Sequence, residues 1–580
     1  MSNSEITPHF FRMKNWRINI ILFFILIIGA AIVSRLFFLQ ILNHKYYQAQ
    51  TLGQRVGFQD IQGSRGEIFF ENSQESRGAV GKGEIKSLAI NKDSWTITAT
   101  IKEIQDKKYF AEVLSKNINE SYDLILSKIE GQNFYVIIKK NISSEELDKI
   151  KTLNLEGLYW SNDQNRYYPQ EELASHVIGF LGGDESGQYG LEGYYEDILK
   201  GKSGIKEEKR GLDLIFSNQE EVFLDGANLY LTIDHNIQFE AESLLKKAKE
   251  ELNIETGQII VIKPDSGRVM ALANFPSFSP NNYSKENYLS IFQNSAVQKL
   301  FEPGSILKPF TMSIALNEGK ITPNTTFIDE GFVKIGSKTI YNFDRKKYGE
   351  RTMTEVLEKS INTGAVFVSQ LIPRKTYLDY IDKFGFTQKT GIDLQGEVYS
   401  RNENLKKGMD IEFATASFGQ GIELTPIQIV SGFCAFANGG KLVKPYVVEK
   451  IVQGKKETNI KVQTQSQVIS QQTASQITAM LISVVEKGFG SEAKVPGYYI
   501  AGKTGTAEVP YEDRKGYYPD KTIQSFIGFG PALNPQFLIL VKLDDPKVPK
   551  SSLSAAPIFK DLAQYIINYW KIPPDYDEKF

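Results

Sequence analysis

The chain has 580 residues, of which 41% are hydrophobic and 23% are charged, so it can form more than one domain with its own core. Its formal net charge of -2 gives no reason to expect nucleic acid or an acidic polymer as a partner. A single cysteine, Cys434, excludes an intramolecular disulfide, and the lack of histidine after His235 excludes a Ser-His-Asp triad or a histidine-ligated metal site in residues 236–580.

The N-terminal segment carries the first signal. Residues 18–34 contain no charge, and apolar residues continue to Leu42. At about 1.5 Å per helical residue, this run reaches across the roughly 30 Å hydrocarbon core of a bilayer. Three cations precede the run and place the N-terminus in the cytoplasm by the positive-inside rule: Arg12, Lys14 and Arg17. The sequence predicts a cytoplasmic tail over residues 1–17 and an anchor over 18–42; a cleavable signal peptide stays open as the alternative.

The middle of the chain shows no catalytic pattern. Residues 43–225 alternate strand-like and helix-like stretches and predict a mixed α/β domain. Its strands are expected at 95–101 and 134–138, and its helices at 107–117 and 143–151.

From residue 226 the pattern changes, and a second domain is predicted over 226–572, followed by a polar tail over 573–580. Its expected elements are a strand at 228–233, a helix at 237–252, a hairpin from 257–262 and 268–273, and late strands at 498–507, 525–530 and 537–543. Because helices fill the interval between early and late strands, these strands are predicted to share one sheet.

A Ser-x-x-Lys motif, Ser305-Ile-Leu-Lys308, follows Glu302-Pro303-Gly304 and leads into an apolar run. Pro and Gly before such a run predict a helix start at Ser305. Residues three apart share one helix face, so Lys308 is expected beside Ser305. A second Ser-x-x-Lys, at Ser243, lies in a charged helical stretch and is interpreted as a solvated helix face.

Two further motifs follow in order. Ser360-Ile-Asn362 is predicted on a loop before a helix that begins near Thr363. Lys503-Thr504-Gly505-Thr506 continues from aromatic and β-branched residues, which favours a strand, and Gly505 is expected where a substrate backbone lies close. A second Lys-Thr-Gly, beginning at Lys389, lies among turn-forming residues and is predicted to be a loop.

The three motifs together predict nucleophilic catalysis. A neutral serine hydroxyl is a poor nucleophile and needs a base within hydrogen-bond reach. Lysine has an unperturbed pKa of about 10.4, so it acts as a base only when its environment favours the neutral amine. Burial, and a second cation at Lys503, would have that effect on Lys308. We therefore predict Ser305 as the nucleophile and Lys308 as its base.

The motifs and their spacing resemble those of the class B penicillin-binding proteins, the membrane-anchored D,D-transpeptidases that cross-link peptidoglycan. The resemblance covers nearly the whole chain. It includes Gly63-Ser-Arg65-Gly66, Arg166-Tyr-Tyr-Pro169, Gly190-Leu-Glu-Gly193 and Ser417-Phe-Gly-Gln-Gly421. One departure is Phe70-Glu71-Asn72-Ser73, which replaces an acidic residue and Asn-Gly in the family pattern.

The resemblance implies that residues 226–572 form the α/β (α+β) transpeptidase fold of the penicillin-recognising serine enzymes, an antiparallel sheet with helices on both faces. It implies that residues 43–225, called the pedestal below, form a dimerisation-like domain between this fold and one transmembrane helix. It implies that Ser360 relays a proton and Asn362 holds the donor peptide. Lys503, Thr504 and Thr506 would bind the terminal carboxylate, and the N–H groups of Ser305 and Thr506 would form the oxyanion hole.

The same resemblance implies D-Ala-D-Ala stem peptides as substrates and β-lactams as covalent inhibitors. It implies no metal or organic cofactor. Its implied partners are a polytopic membrane glycosyltransferase and other wall-synthesis proteins, and its implied location is the cell membrane with the catalytic domain outside the cytoplasm. A septal role is favoured over a side-wall role.

Three alternatives stay open at this point. The first is an elongation-type transpeptidase. The second is a hydrolase with the same residues, either a D,D-carboxypeptidase or a β-lactamase, although a soluble β-lactamase would need neither an anchor nor a pedestal. The third is a penicillin-sensing or scaffold protein without catalytic function.

Overall fold

The computed structural model describes residues 58–71, 86–131, 134–207, 225–460, 466–511 and 516–576, together with Phe23, Leu26, Gly29, Val33, Val462 and Arg514. The chain divides into two compact units, one formed by residues 1–63 with 202–224 and the other by 64–201 with 225–580. In the first unit, strand β1 (Phe58–Gln62) pairs antiparallel with β8 (Ser203–Glu207).

The predicted membrane anchor, residues 18–42, lies outside the described residues except at four isolated helical positions. Within the described part of the chain, no helix combines the length and the apolar content that crossing a bilayer requires.

The second unit contains the two larger sheets and nearly all of the helices. Its strands in chain order are β2 (Ile68–Phe69), β3 (Ser87–Thr100), β4 (Tyr135–Ile142), β5 (Leu158–Tyr167), β6 (Phe180–Leu181), β7 (Gly187–Gln188), β9 (Asn228–Leu231), β10 (Thr256–Ile262), β11 (Val269–Phe275), β12 (Thr326–Asp329), β13 (Phe332–Ile335), β14 (Lys338–Tyr341), β15 (Gly349–Thr352), β16 (Lys441–Leu442), β17 (Val448–Gln453), β18 (Lys456–Asn459), β19 (Ser466–Gln467), β20 (Ala501–Pro510), β21 (Tyr517–Gly530) and β22 (Phe537–Asp544).

Its α-helices in chain order are α1 (Lys107–Ser115), α2 (Tyr122–Glu130), α3 (Ser144–Lys151), α4 (Ser175–Ile178), α5 (Gly190–Tyr194), α6 (Glu196–Leu199), α7 (His235–Leu252), α8 (Ser295–Gln298), α9 (Lys308–Asn317), α10 (Met353–Glu358), α11 (Asn362–Leu371), α12 (Arg374–Lys383), α13 (Glu403–Lys406), α14 (Asp410–Ala416), α15 (Pro426–Ala437), α16 (Gln471–Lys487) and α17 (Ala555–Trp570).

The central sheet has five antiparallel strands in the order β11-β10-β22-β21-β20. Early and late strands therefore share one sheet, as the sequence predicts. Alternate residues of β10 face two different cores: Ile259 belongs to the core with α7 and α17, and Ile260 to the core with α9 and α15. Helices thus cover both faces, and β20 lies at one edge.

A second sheet crosses the predicted boundary between the pedestal and the following domain. Its strands run β18-β17-β9-β2-β3-β4, with β5 also paired to β3. Strand β9 is expected from the sequence, but it joins this sheet through a parallel pairing with β2 rather than joining the central one. The two predicted domains are therefore linked by continuous backbone hydrogen bonding.

A buried ion cluster lies where three of the quoted pedestal motifs meet. Glu192 is fully buried, and its two oxygens accept from the Nε atoms of Arg65 and Arg166, each at 2.7 Å. Tyr168 Oη adds a third bond at 3.2 Å. Burial by itself raises the pKa of Glu192, but the charges of Arg166 and Arg65 outweigh it and hold that pKa below its usual value.

We predict that Glu192→Ala lowers the free energy of unfolding by about 3–5 kcal/mol, because it leaves the buried Arg166 without its ion-pair partner and leaves Arg65 with Glu196 alone. The matched control is Glu112→Ala, which removes an exposed pair with Lys116 and should cost less than about 1 kcal/mol. Equilibrium chemical unfolding measures both. Equal effects of the two substitutions would contradict the structural importance of the buried cluster.

Candidate active site

The nucleophile candidate, Ser305, lies in a 3-10 turn over Gly304–Leu307, and the α-helix begins only at Lys308. The sequence-based helix start at Ser305 is therefore three residues early. The turn is set by Gly304, which has a φ of +59° and whose N–H donates to Gly419 O at 3.0 Å. A Cβ on Gly304 would lie 2.8 Å from Thr506 O, so only glycine permits this approach of the turn to β20.

Ser360 ends helix α10 in a left-handed conformation, with a φ of +54°. Its N–H donates to Leu357 O, and the N–H of Ile361 donates to Val356 O, which together form a Schellman motif. Glycine usually occupies this position, and a non-glycine residue there carries a backbone cost of about 1–3 kcal/mol. The strained turn directs both the carbonyl and the hydroxyl of Ser360 at Lys308.

Lys308 is fully buried and is surrounded by the second motif. Its Nζ donates to Ser360 O at 2.5 Å, to Ser360 Oγ at 3.2 Å and to Asn362 Oδ1 at 2.8 Å. These three bonds use all the donors of an ammonium group. Ser360 and Asn362, which lie 52 and 54 positions after Lys308 along the chain, therefore converge on one amine.

Lys503 approaches the same hydroxyl from β20. Its Nζ donates to Ser360 Oγ at 3.0 Å and to Thr504 O at 3.0 Å, and it too is fully buried. Burial, and after it the charge of Lys503, holds the pKa of Lys308 well below its usual value. Burial lowers the pKa of Lys503 to about 7. The environment thus favours a neutral Lys308, in the direction that the sequence predicts.

The contact between nucleophile and base differs from the expectation. Among the described residues, Ser305 Oγ makes no hydrogen bond, and in particular none to Lys308 Nζ. Lys308 gives its donors to Ser360 and Asn362 instead. A neutral amine has two N–H groups and one lone pair, so deprotonation frees Lys308 to accept from Ser305. Catalytic hydrogen bonds commonly tighten only when substrate binds.

The predicted residues border one cavity of about 510 Å³. Ser305, Ser360, Asn362, Thr504 and Thr506 all line it, whereas Lys308 and Lys503 are buried behind them. The hydroxyls therefore lie at the cavity surface, and the two lysine amines lie behind them, within hydrogen-bond distance of Ser360.

The structure gives a different reason for glycine at position 505 from the one that the sequence suggests. A Cβ there would lie 2.4 Å from Ser525 Oγ and 2.8 Å from Ile306 Cγ2. The protein itself, packed around the nucleophile turn, fills the space that sequence reasoning assigned to substrate.

Other cavity residues carried no motif in the sequence. The segment 341–348 supplies Tyr341, Phe343 and Arg345, and the guanidinium of Arg345 lies 5.1 Å from the centre of the Tyr341 ring. On the opposite side, Ser551 Oγ lies 3.3 Å from Thr506 Oγ1. These two segments are about 200 residues apart along the chain and carry no recognisable motif, so only the fold reveals them.

Two other features, potential metal-ligand groups and the second Lys-Thr-Gly motif, were also compared with the structure. Within the described ranges, no group of three or more His, Cys, Asp or Glu residues is placed to hold a metal ion. The second Lys-Thr-Gly is a loop, as predicted, in which the N–H groups of Thr390 and Gly391 donate to Glu397.

The residues around this cavity are those that the sequence predicts for serine acyl transfer with a lysine base. Comparison with known families agrees: residues 257–564 match the penicillin binding protein transpeptidase domain, and residues 64–231 match the penicillin-binding protein dimerisation domain. The chain belongs to the class B penicillin-binding proteins.

Two relatives and one solved structure show the extent of the similarity. The chain is 33% identical to the stage V sporulation protein D of Bacillus subtilis, over 84% of this chain and 77% of that protein. It is 28% identical to the peptidoglycan D,D-transpeptidase FtsI of Escherichia coli, over 86% and 84% respectively. The crystal structure of penicillin-binding protein 3 from Mycobacterium tuberculosis with aztreonam superposes with a TM-score of 0.69 at 25% identity, covering 89% of this chain and 98% of that one.

We predict that Lys503→Met moves the acid limb of the acylation pH profile to higher pH. The charge of Lys503 disfavours the protonated form of Lys308, so its removal raises the pKa of Lys308, and the neutral base is then lost at a higher pH. The measurement is the second-order rate of labelling by a fluorescent penicillin across pH. Lys503→Arg keeps the charge and is the control; an unmoved limb in Lys503→Met would refute the coupling.

Proposed function

We propose that Ser305 cross-links peptidoglycan stem peptides through an acyl-enzyme, with Lys308 as its base. The observation that carries this proposal is the convergence of Lys308, Ser360, Asn362 and Lys503 beside a cavity that Ser305 lines. Support comes from relatives that are named peptidoglycan D,D-transpeptidases.

In the first step, Ser305 Oγ attacks the carbonyl carbon of the penultimate D-alanine while its proton passes to Lys308 Nζ. The N–H groups of Ser305 and Thr506 would stabilise the resulting oxyanion; loss of one such donor typically costs about 10²–10³ in rate. Ser360 Oγ, which lies between both lysines, would carry a proton to the leaving amine of the terminal D-alanine. The C–N bond breaks and a serine ester remains.

In the second step, the amine of a neighbouring stem attacks the ester carbonyl and loses a proton to Lys308. The C–O bond to Ser305 then breaks as Lys308 returns this proton to Ser305 Oγ, and the new amide is the cross-link. The hydroxyls of Thr504 and Thr506 would donate hydrogen bonds to the terminal carboxylate of the donor, since both residues line the cavity. Lys503, which is buried behind them, would attract this carboxylate electrostatically. A carboxylate in this position would favour the protonated form of Lys503.

The proposed cellular location and partners follow from the same resemblance. We infer a membrane anchor over residues 18–42, a cytoplasmic N-terminus, a septal role, and cooperation with a polytopic membrane glycosyltransferase. The charge pattern of residues 1–42 supports the anchor and its orientation.

The proposal predicts that Ser305→Ala abolishes both penicillin labelling and cross-linking of synthetic stem peptides, because the ester cannot form. Thr311→Val, a buried substitution that removes a hydroxyl bonded to Ser417 O, is a control for folding and should leave labelling intact.

Rapid release of hydrolysed penicillin by the wild type would favour a β-lactamase instead. Growth of cells on Ser305→Ala alone would favour a scaffold, and round rather than filamentous depleted cells would favour a side-wall role.

A further inference from the structure

Helix α11, which begins with Asn362, receives its N-terminal cap from another segment. The residue at its own cap position is Ile361, whose apolar side chain accepts no hydrogen bond. Asn342 Oδ1 accepts instead from the N–H of Asn362 at 3.1 Å and from the N–H of Thr363 at 3.2 Å. Asn342, twenty residues away, thus does the work of an N-cap side chain.

The Asn342 amide has one orientation that satisfies its neighbours. Its Nδ2 donates to Asp329 Oδ2 at 2.9 Å and to Lys346 O at 3.0 Å, so Oδ1 must face the helix. Asp329 is fully buried and is itself fixed: its carboxylate also accepts from the N–H of Tyr348 at 2.8 Å and from Thr363 Oγ1 at 2.6 Å. The negative charge of Asp329 near the start of α11 adds favourable electrostatics.

This cap holds the groups that surround the base. Asn362 is bound twice by neighbouring residues, through its N–H to Asn342 and through its Nδ2 to Tyr341 O at 3.0 Å. Its remaining amide atom, Oδ1, accepts from Lys308 Nζ. Ser360, two residues before it, supplies the other contacts of Lys308 and a contact of Lys503. A shift of the first turn of α11 would therefore move Asn362 directly and would disturb Ser360, which lies two residues before it. These two residues supply every hydrogen-bond partner that Lys308 has among the described residues.

We propose that Asn342 is a positioning residue for the acylation reaction, which sets the Ser360–Asn362 turn against Lys308 by capping α11, and that Asp329 fixes the orientation of its amide. Asn342 acts through these residues rather than on the substrate. The inference rests on the proposed function, since it concerns acylation of Ser305. Asn342 itself borders the cavity together with its neighbours Tyr341 and Phe343, so it also links the cavity wall to the groups around Lys308.

The first test is Asn342→Leu, which keeps the size of the side chain and removes the cap. The expected result is a loss of about 10²-fold in the second-order rate of labelling by a fluorescent penicillin, the size typical of a 1 Å misplacement of reacting groups. Ser121→Ala removes the exposed N-cap of α2 in the pedestal and is the control for cap loss away from the site. It should label at the wild-type rate.

The second test is Asn342→Asp, read as the ratio of its labelling rate to that of the wild type at each pH. A neutral carboxyl group offers the same acceptor to α11 and the same donor to Asp329 as the amide. A charged one places a second negative charge beside Asp329 and loses that donor. Other charged groups near this position are Lys308 from α9, reached through Asn362, then Lys359 after α10, and Asp344, Arg345 and Lys346 on the same segment. The ratio should rise as pH falls from about 8 to about 5, since the neighbouring carboxylate raises the pKa of the new group.

The outcomes separate the inference from the function on which it rests. A wild type that takes no label refutes the proposed function. A labelled wild type with an equally fast, folded Asn342→Leu, or with a ratio for Asn342→Asp that does not change with pH, overturns only the positioning role. If Asn342→Leu does not fold by circular dichroism, the pH dependence of the folded Asn342→Asp decides alone.

Discussion

Two lysine side chains buried around one serine hydroxyl are the constraint on which the rest of the site depends. Removing an ammonium group from water is costly unless it is paired with an anion, and neither Lys308 nor Lys503 has an ion pair among the described residues. The free energy is lowered instead by loss of a proton, which is why the pKa of Lys308 lies far below its usual value. Burial thus favours the neutral amine of Lys308, the form that the proposed role as a base requires.

The backbone around these lysines is held in conformations that few residues tolerate. Ser360 occupies a position that usually needs glycine, and Gly304 and Gly419 approach so closely that a Cβ on Gly419 would lie 2.1 Å from Gly304 O. Such strain persists only when surrounding contacts determine the geometry. Here the Schellman motif of α10, the cap from Asn342 and the edge of β20 supply those contacts.

The pedestal is tied to the catalytic region more tightly than a spacer would be. The parallel pairing of β2 with β9 joins them by backbone hydrogen bonds, and Tyr195 Oη donates across the boundary to the buried Asp393 at 3.0 Å. The carboxylate of Asp393 also accepts from the N–H groups of Val447 and Val448. Because buried polar contacts of this kind are costly to break, the two regions of this unit are expected to move together.

What the sequence determined by itself was local. The hairpin of β10 and β11, helix α7 and the late strands follow from apolar periodicity and turn residues, and the three motifs follow from residue type and short spacing. The direction of the pKa shift of Lys308 was also predictable, because the sequence indicates burial of this lysine near a second cation, Lys503.

Only the tertiary structure decided the contacts between distant segments. It showed that Lys308 bonds to Ser360 and Asn362 rather than to Ser305, that Gly505 is required by Ile306 and Ser525, and that β9 joins the pedestal sheet. It also brought Asn342 and Asp329 to the start of α11. Local sequence reports propensity and spacing, whereas these contacts depend on how whole sheets and helices pack, and no pattern of a few residues encodes that packing.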